Sequence, residues 1–286
     1  MMFAVCAHAD ISVRDDTGQT VRLTHPAQRI VSLAPHITEL LFAAGAGSRI
    51  VGSVEFSDYP EAARRIARIG GAASVDLEAV AALRPELVVA WQSGTSPAQV
   101  AKIRALGIPL YLSQPNHLED VATDLERLGA LAGTSAVATP AAQQYRARLA
   151  MLRQRYQNRP PVRSFYEIWK QPLTTIGGGQ IISAVMRVCG GENIFAALPA
   201  MAPVVSVESV LAANPEAIIA GGMNDQRPEW LDDWKRWISL TAVSRDNLFF
   251  VPPDLLQRHT PRILDGAEQL CLALETARTR RPGVGK

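Results

Sequence analysis

Apolar and polar positions along the chain follow the pattern of an α/β protein. Near the start, two short alternating runs flank Asp15-Asp16-Thr17-Gly18, which predicts a β-hairpin over residues 11–23. Short apolar runs typical of buried strands follow, separated by helical patterns and loops. The predicted strands of this first series are 29–33, 50–52, 87–91 and 109–112, with a helix over 37–44.

A long helical pattern separates this series from a second one. Residues 139–157 carry apolar side chains at helical spacing, and Pro160-Pro161 ends the run. Beyond it lie predicted strands at 163–168, 217–220 and 248–251 and helices at 182–189 and 261–276. The predicted fold class is therefore α/β, with two Rossmann-like lobes joined by one long helix and a ligand cleft between the lobes. The predicted boundaries are 1–9 for a signal-peptide remnant, 10–138 for the N-terminal lobe, 139–160 for the connecting helix and 161–286 for the C-terminal lobe.

An internal repeat supports the two similar lobes. Residues 78–90 and 208–220 are identical at six of thirteen positions, and each segment has a helical stretch, a proline and an aliphatic strand. Glu78 and Glu208 open the two segments, and each follows a predicted N-cap by two residues. The helix dipole alone explains a glutamate in a first turn. As a pair, the two glutamates predict one acidic contact per lobe with arginines of a two-subunit partner.

Charge and hydropathy exclude several classes of partner. Lys and Arg number 29 against 27 Asp and Glu among 286 residues, and no basic run is dense enough to follow a phosphate backbone. Nucleic acid is therefore not an expected partner. The apolar stretches fall well short of the ~20 residues that span a bilayer, so membrane contact is expected only through a partner protein.

The first nine residues resemble the end of a secretory signal. Ala7-His8-Ala9 places small residues at both cleavage-determining positions, which predicts a cut before Asp10. A merely apolar terminus is the alternative, and Cys6 fits a lipid-attachment cysteine poorly. After such a cut only Cys189 and Cys271 remain, and an even pair in an exported protein suggests a disulfide. Two buried free thiols are the alternative.

The sequence lacks the sharper signatures of catalysis. It contains no Gly-x-Ser-x-Gly, no phosphate-binding Gly-x-x-x-x-Gly-Lys-Ser/Thr and no His-Glu-x-x-His, so no catalytic residue is predicted. The five histidines are widely spaced, which argues against a metal site made of protein ligands.

Large rings stand instead at predicted strand ends and in the loops that follow them. Phe56, Trp91 and Trp169 occupy such places, and His36 and His259 lie at a helix start and in a loop. Large flat side chains suit a bulky, partly apolar ligand. The alternative for each is packing beneath its own loop or, for the histidines, a hydrogen bond to backbone or solvent. Three further tryptophans at helical spacing are predicted to pack as one face on a lobe, namely Trp230, Trp234 and Trp237.

Five segments together resemble a known family of transport proteins. They are residues 29–45, Ser57-Asp58-Tyr59-Pro60, residues 85–91, residues 188–195 and Pro261-Arg262-Ile263. The segments resemble the periplasmic cobalamin (vitamin B12) binding proteins of ABC importers. These belong to the helical-backbone class of solute-binding proteins, which also includes carriers of ferric siderophores and haem. The resemblance covers nearly the whole mature chain. It implies a periplasmic monomer that is not an enzyme, binds cobalamin or a related corrinoid, and delivers it to a permease dimer with its ATPase.

The resemblance also implies roles for individual residues. Glu78 and Glu208 fall on the glutamates that dock onto permease arginines, and Cys189 and Cys271 match the family's cysteine pair. Ala72 and Ala202 stand where the cobalamin proteins have tryptophans, and Leu255 and Leu256 stand where aromatic residues are expected. The full set of predicted ligand contacts is His36, Phe56, Trp91, Trp169, Asp254, Leu255, Leu256, Gln257, Arg258 and His259.

Two other functions are compatible with the sequence. A ferric-siderophore or haem carrier of the same class would explain the missing tryptophans, and His36 or His259 would then be candidates to bind iron. An enzyme or metallochaperone on the same bilobal scaffold is a third hypothesis, because a fold does not determine a function.

Overall fold

The computed structural model describes residues 10–71, 74–222 and 225–282, and the chain divides into two compact units. The first unit contains residues 10–115 and 119–145, and the second contains residues 116–118 and 146–282. The predicted signal-peptide remnant with Cys6, and the position of Ala72, lie outside the described residues.

A four-stranded parallel sheet forms the centre of the first unit. In chain order, up to and including the long helix α5, the elements are β1 Ile11–Arg14, β2 Thr20–Leu23, β3 Ile30–Ser32, α1 Pro35–Ala43, β4 Ile50–Ser53, β5 Gly70–Gly71, β6 Ser74–Val75, α2 Leu77–Ala82, β7 Leu87–Trp91, α3 Pro97–Ala105, β8 Leu110–Ser113, α4 Leu118–Ala132 and α5 Ser135–Tyr156. The strand order is β4-β3-β7-β8, and every neighbouring pair is parallel. Strands β1 and β2 form the predicted antiparallel hairpin, in which Ile11 pairs with Leu23. Val31, Val88 and Leu112 contribute to the buried core of this sheet.

The second unit repeats this architecture. Its elements after α5 are β9 Val162–Glu167, α6 Ile181–Val188, β10 Gly191–Asn193, α7 Val207–Ala213, β11 Ala217–Ala220, α8 Thr241–Ser244, β12 Leu248–Phe250, α9 Pro253–Leu256 and α10 Ile263–Thr279. The order β10-β9-β11-β12 is again fully parallel. The predicted α/β class is therefore confirmed.

The two repeat segments fold as the sequence predicts. Each consists of a short helix followed by a buried strand, α2 with β7 and α7 with β11. Both predicted N-caps are formed, because Asp76 accepts hydrogen bonds from the amides of Glu78 and Ala79, and Ser206 accepts one from Ser209.

The long helix predicted over 139–157 extends over Ser135–Tyr156. The apolar side chains of its predicted inner face are all buried, namely Ala142, Tyr145, Leu149, Leu152 and Tyr156. The boundary between the two units lies within this helix, after Tyr145. Among the helices of the described residues, none combines the length and the apolar character that a bilayer-spanning segment needs.

A disulfide links two helical segments of the second unit. Cys189 directly follows α6, Cys271 lies in α10, and their sulfur atoms are 2.07 Å apart. Both side chains are fully buried. The predicted pairing is confirmed, and the alternative of two free thiols is wrong.

Candidate ligand-binding site

Two predicted site residues meet at the carboxyl ends of neighbouring strands in the first unit. His36 lies in the first turn of α1, which follows β3, and Trp91 is the last residue of β7. Because β3 and β7 are adjacent and parallel, their carboxyl ends lie at the same edge of the sheet. The two rings meet edge to face, with centroids 5.3 Å apart and an angle of 87° between their planes. His36 is buried and Trp91 is half-buried, so part of Trp91 is open to solvent.

The turn after β7 supports the Trp91 indole directly. A Cβ atom placed on Gly94 would lie 2.1 Å from Cε3 of Trp91, so the ring packs on the glycine backbone. Ser93 anchors the same turn, because its amide and its hydroxyl both donate to Oε1 of Gln114, over 3.0 and 2.6 Å. Only glycine at position 94 allows this contact.

Phe56 is an exposed ring on an unusual backbone. Its side chain is 76% exposed, and its φ of 62° lies in the left-handed region that non-glycine residues rarely adopt. The next residue, Ser57, is fully buried, and its hydroxyl accepts a hydrogen bond from the Thr38 hydroxyl at 3.2 Å. The Ser57 carbonyl accepts a second hydrogen bond, from the guanidinium of Arg68 at 2.8 Å. The loop is therefore fixed beneath a ring that contacts little of its own unit, a combination that points to a function.

The second unit presents Trp169 two residues beyond the end of β9. The indole is 38% exposed, and its backbone pairs with Thr174, which donates to the Trp169 carbonyl at 2.8 Å. Asp254 and Arg258 form an ion pair at 3.1 Å, and the arginine side chain is only 13% exposed. The ion pair therefore fixes a guanidinium close to the protein surface.

Other predicted residues of this segment face inward. Leu256 is fully buried and packs so closely on α10 that a Cβ atom on Gly266 would lie 2.8 Å from its Cδ2. We therefore assign Leu256 to the core and leave it out of the proposed contacts. Leu255 and Gln257 are half-buried. His259 is also buried, and desolvation lowers its pKa to about 4, so its imidazole is neutral at neutral pH.

A buried carboxyl at the end of β9 was not predicted from the sequence. Glu167 is 2% exposed and accepts a hydrogen bond of 2.7 Å from the indole nitrogen of Trp234, and its burial raises its pKa to about 7. The packing predicted for Trp230, Trp234 and Trp237 is confirmed, although these residues lie in and beside a 3₁₀ helix, Glu229–Arg236. The available signal for Glu167 was a carboxyl side chain at the end of a strand, directly after the aromatic residues Phe165 and Tyr166.

The two predicted docking glutamates are exposed. Glu78 and Glu208 each lie in the first turn of a helix, one in each unit. Hydrogen bonds from its own amide and from the Ser206 hydroxyl lower the pKa of Glu208. Within residues 10–71, 74–222 and 225–282, no three His, Cys, Asp or Glu side chains form a group that could hold a metal ion.

This chain belongs to the periplasmic binding protein family, whose family model matches residues 30–255. It is 38% identical over 253 residues to a vitamin B12-binding protein of Vibrio cholerae, and the match covers 88% of this chain and 91% of that protein. The crystal structure of the periplasmic vitamin B12-binding protein BtuF of Vibrio cholerae superposes with a TM-score of 0.82 at 37% identity, covering 88% of this chain and 98% of that one. The periplasmic haem-binding protein RhuT of Roseiflexus shares the fold, with a TM-score of 0.76 at 24% identity over 88% of this chain and 99% of that one.

Proposed function

We propose that this protein is the periplasmic receptor of an ABC importer for cobalamin or a related corrinoid. The observation that carries the proposal is the 38% identity to a vitamin B12-binding protein over nearly the full length of both chains. A fold alone would not support a ligand, since the same scaffold serves several. The match covers 88% of this chain and so is not confined to one part of the scaffold. Binding residues are found disproportionately in loops that a rigid scaffold positions.

The exposed rings fit the chemistry of a corrinoid. A corrinoid presents a large, partly apolar macrocycle surrounded by amide side chains. Phe56, Trp91 and Trp169 offer ring faces that bury a large area and have few rotatable bonds. The Asp254–Arg258 pair supplies fixed polar groups for the amides. We propose that these three rings and the Asp254–Arg258 pair contact one ligand. In this proposal His36 supports the Trp91 ring, and the residues at or directly behind the contact surface are Leu255, Gln257 and His259.

Glu78 and Glu208 are the proposed contacts with the transporter. They are exposed, they occupy equivalent places in the repeat, and a carboxylate accepts a two-pronged hydrogen bond from arginine. We propose that each glutamate docks on one subunit of a permease dimer, which an ATPase drives. In this function the protein acts as a monomer, binds its ligand reversibly and catalyses no reaction.

A haem or ferric-siderophore carrier is the second candidate. Leu255 and Ala202 present aliphatic side chains where cobalamin proteins have aromatic ones, which reduces the stacking surface for a corrin ring. The neutral imidazole of His259 is in the protonation state that binds iron.

Native mass spectrometry of a competition mixture separates these candidates. The purified protein is incubated with equal concentrations of cyanocobalamin, haemin and a ferric siderophore, and the retained ligand is identified by mass. We expect a one-to-one adduct with cyanocobalamin, which Trp91→Ala weakens and Trp230→Ala, in the tryptophan cluster of the second unit, does not. Retention of haemin or the siderophore in place of the corrinoid would reject the proposal, and release of an altered ligand would reject the binding-only role.

A further inference from the structure

The turn that supports Trp91 is held by a side chain from the neighbouring strand end. Gln114 directly follows β8 and is 8% exposed. Its Oε1 atom accepts both the amide and the hydroxyl of Ser93, while the Gln92 amide donates to the Ser113 carbonyl at 3.1 Å. The turn is therefore fixed at two consecutive residues immediately before Gly94, on which the indole packs.

Gln114 is itself fixed by the N-terminal hairpin. The backbone N–H of Gln114 donates to Oδ2 of Asp16 over 2.6 Å. The backbone N–H of Asp16 donates in turn to the carbonyl of Leu112 at 3.1 Å. The other carboxylate oxygen of Asp16 forms an ion pair of 2.6 Å with Arg127 of α4. Asp16 therefore fixes the backbone at Gln114, and the burial of the Gln114 side chain leaves few alternative rotamers for the oxygen that Ser93 contacts.

We infer that Gln114 is a positioning residue for the Trp91 indole and acts through Ser93 and Gly94. The inference rests on the proposed function, because it assumes that Trp91 contacts the ligand. The contacts form a continuous chain. Asp16 accepts a hydrogen bond from the backbone of Gln114, the Gln114 side chain accepts one from Ser93, and the indole of Trp91 packs on the next residue, Gly94. A binding surface whose side chains are fixed before binding loses less conformational freedom when the ligand binds.

Removal of the acceptor should release the turn without deleting any ligand contact. Gln114→Met keeps the length of the side chain and removes the oxygen that receives two hydrogen bonds from Ser93. We expect the Kd for cyanocobalamin to rise about fivefold to tenfold, the change expected for the loss of about one hydrogen bond of ordinary strength. Backbone exchange in residues 92–96 of the ligand-free protein should become about tenfold faster.

The experiment compares Gln114→Met, Ser93→Ala and the double variant with Gln143→Met, a matched substitution at an exposed position of α5. Affinity is measured by calorimetric titration with cyanocobalamin, and the turn is followed by hydrogen–deuterium exchange with mass spectrometry. If Gln114 acts through Ser93, the double variant will bind no more weakly than Gln114→Met. Gln143→Met should match the wild type in both measurements.

The two measurements separate the failure of this inference from the failure of the proposed function. Wild-type affinity together with wild-type exchange in Gln114→Met would overturn the inference. A uniform rise in exchange over the whole first unit would also overturn it, because it would show a general loss of stability. If the wild type binds no cyanocobalamin, the proposed function fails, and the exchange of residues 92–96 alone decides whether Gln114 positions the turn.

Discussion

One added methyl group at Gly94 should displace the Trp91 indole. A Cβ atom at this position would lie 2.1, 2.8 and 2.9 Å from three atoms of the ring, whereas ordinary contact begins at 3.4 Å. The φ of Gly94 does not lie in the left-handed region, so the backbone itself accepts alanine. Because the indole is half-buried and ends its strand, the ring should move by about 1 Å or more while β7 stays in place.

The expected cost falls mainly on ligand binding. Displacement of the ring breaks the edge contact with His36, and such aromatic contacts contribute about 0.5–1.5 kcal/mol. Gly94→Ala should therefore lower the free energy of unfolding by at most about 1.5 kcal/mol. A ligand that stacks on the displaced ring loses a comparable contact, which corresponds to an affinity about tenfold lower.

Calorimetric titration with cyanocobalamin tests this reasoning on four proteins, the wild type, Gly94→Ala, Trp91→Ala and the double variant. If the methyl group acts only through the ring, it has no further effect once the ring is absent, so the double variant should match Trp91→Ala. Equal affinity of Gly94→Ala and the wild type, or fully additive effects in the double variant, would refute the proposed role of the Gly94 contact.

Three further predictions concern the second unit and the transporter. Replacement of Cys189 and Cys271 by serine should lower the free energy of unfolding in denaturant titrations by about 4 kcal/mol, because the disulfide closes a loop with a sequence separation of 82. Replacement of Glu78 and Glu208 by alanine should abolish uptake in a reconstituted importer and leave ligand affinity unchanged. The pKa of His259 is lowered from 6.5 to about 4 in the folded state, so between these values the unfolded chain binds more protons, and stability should fall as the pH falls. This difference in pKa corresponds to a fall of about 3 kcal/mol in the free energy of unfolding between pH 6.5 and pH 4. His259→Gln should lack this fall in denaturant titrations over the same pH range.

Each of these predictions has a matched control. For the disulfide, the wild type in reductant should approach the serine variant, and equal stability with and without reductant would contradict the prediction. For docking, the control is the double variant Glu61→Ala with Glu229→Ala, which removes one exposed glutamate from the first turn of a 3₁₀ helix in each unit and should leave uptake intact. Normal uptake by the variant that lacks Glu78 and Glu208 would exclude the docking role. For the pH dependence, His25→Gln at an exposed site should behave as the wild type, and an unchanged slope in His259→Gln would contradict the assignment.

Local patterns predicted most of the strands because burial on both faces leaves continuous aliphatic runs in the sequence. Residues 87–91 and 217–220 coincide with strands β7 and β11. Helices α3 and α4 were not predicted, although signals for both were present. Ser96 and Gln99 form a capping box at the start of α3, and α4 buries Leu118, Val121, Leu125 and Leu128 at helical spacing.

The contacts that build the site could not be predicted, because their partners are far apart in the sequence. The hairpin pattern assigned Asp16 to a turn, and nothing local indicates its ion pair with Arg127. In the same way, the sequence pattern placed His36 at a helix start and Trp91 at a strand end, but their edge contact depends on the order of strands in the sheet. Leu256 shows the converse, because the family resemblance placed it in a binding segment and only its packing on α10 reveals that it belongs to the core.

A crystal structure of the complex with cyanocobalamin would decide whether this protein binds a corrinoid with the rings at and beside its strand ends. We expect a single bound corrinoid in contact with the rings of Phe56 and Trp91, with the Trp91 indole still packed on Gly94. A corrinoid bound away from these two rings, or crystals that contain no corrinoid at saturating concentration, would contradict it.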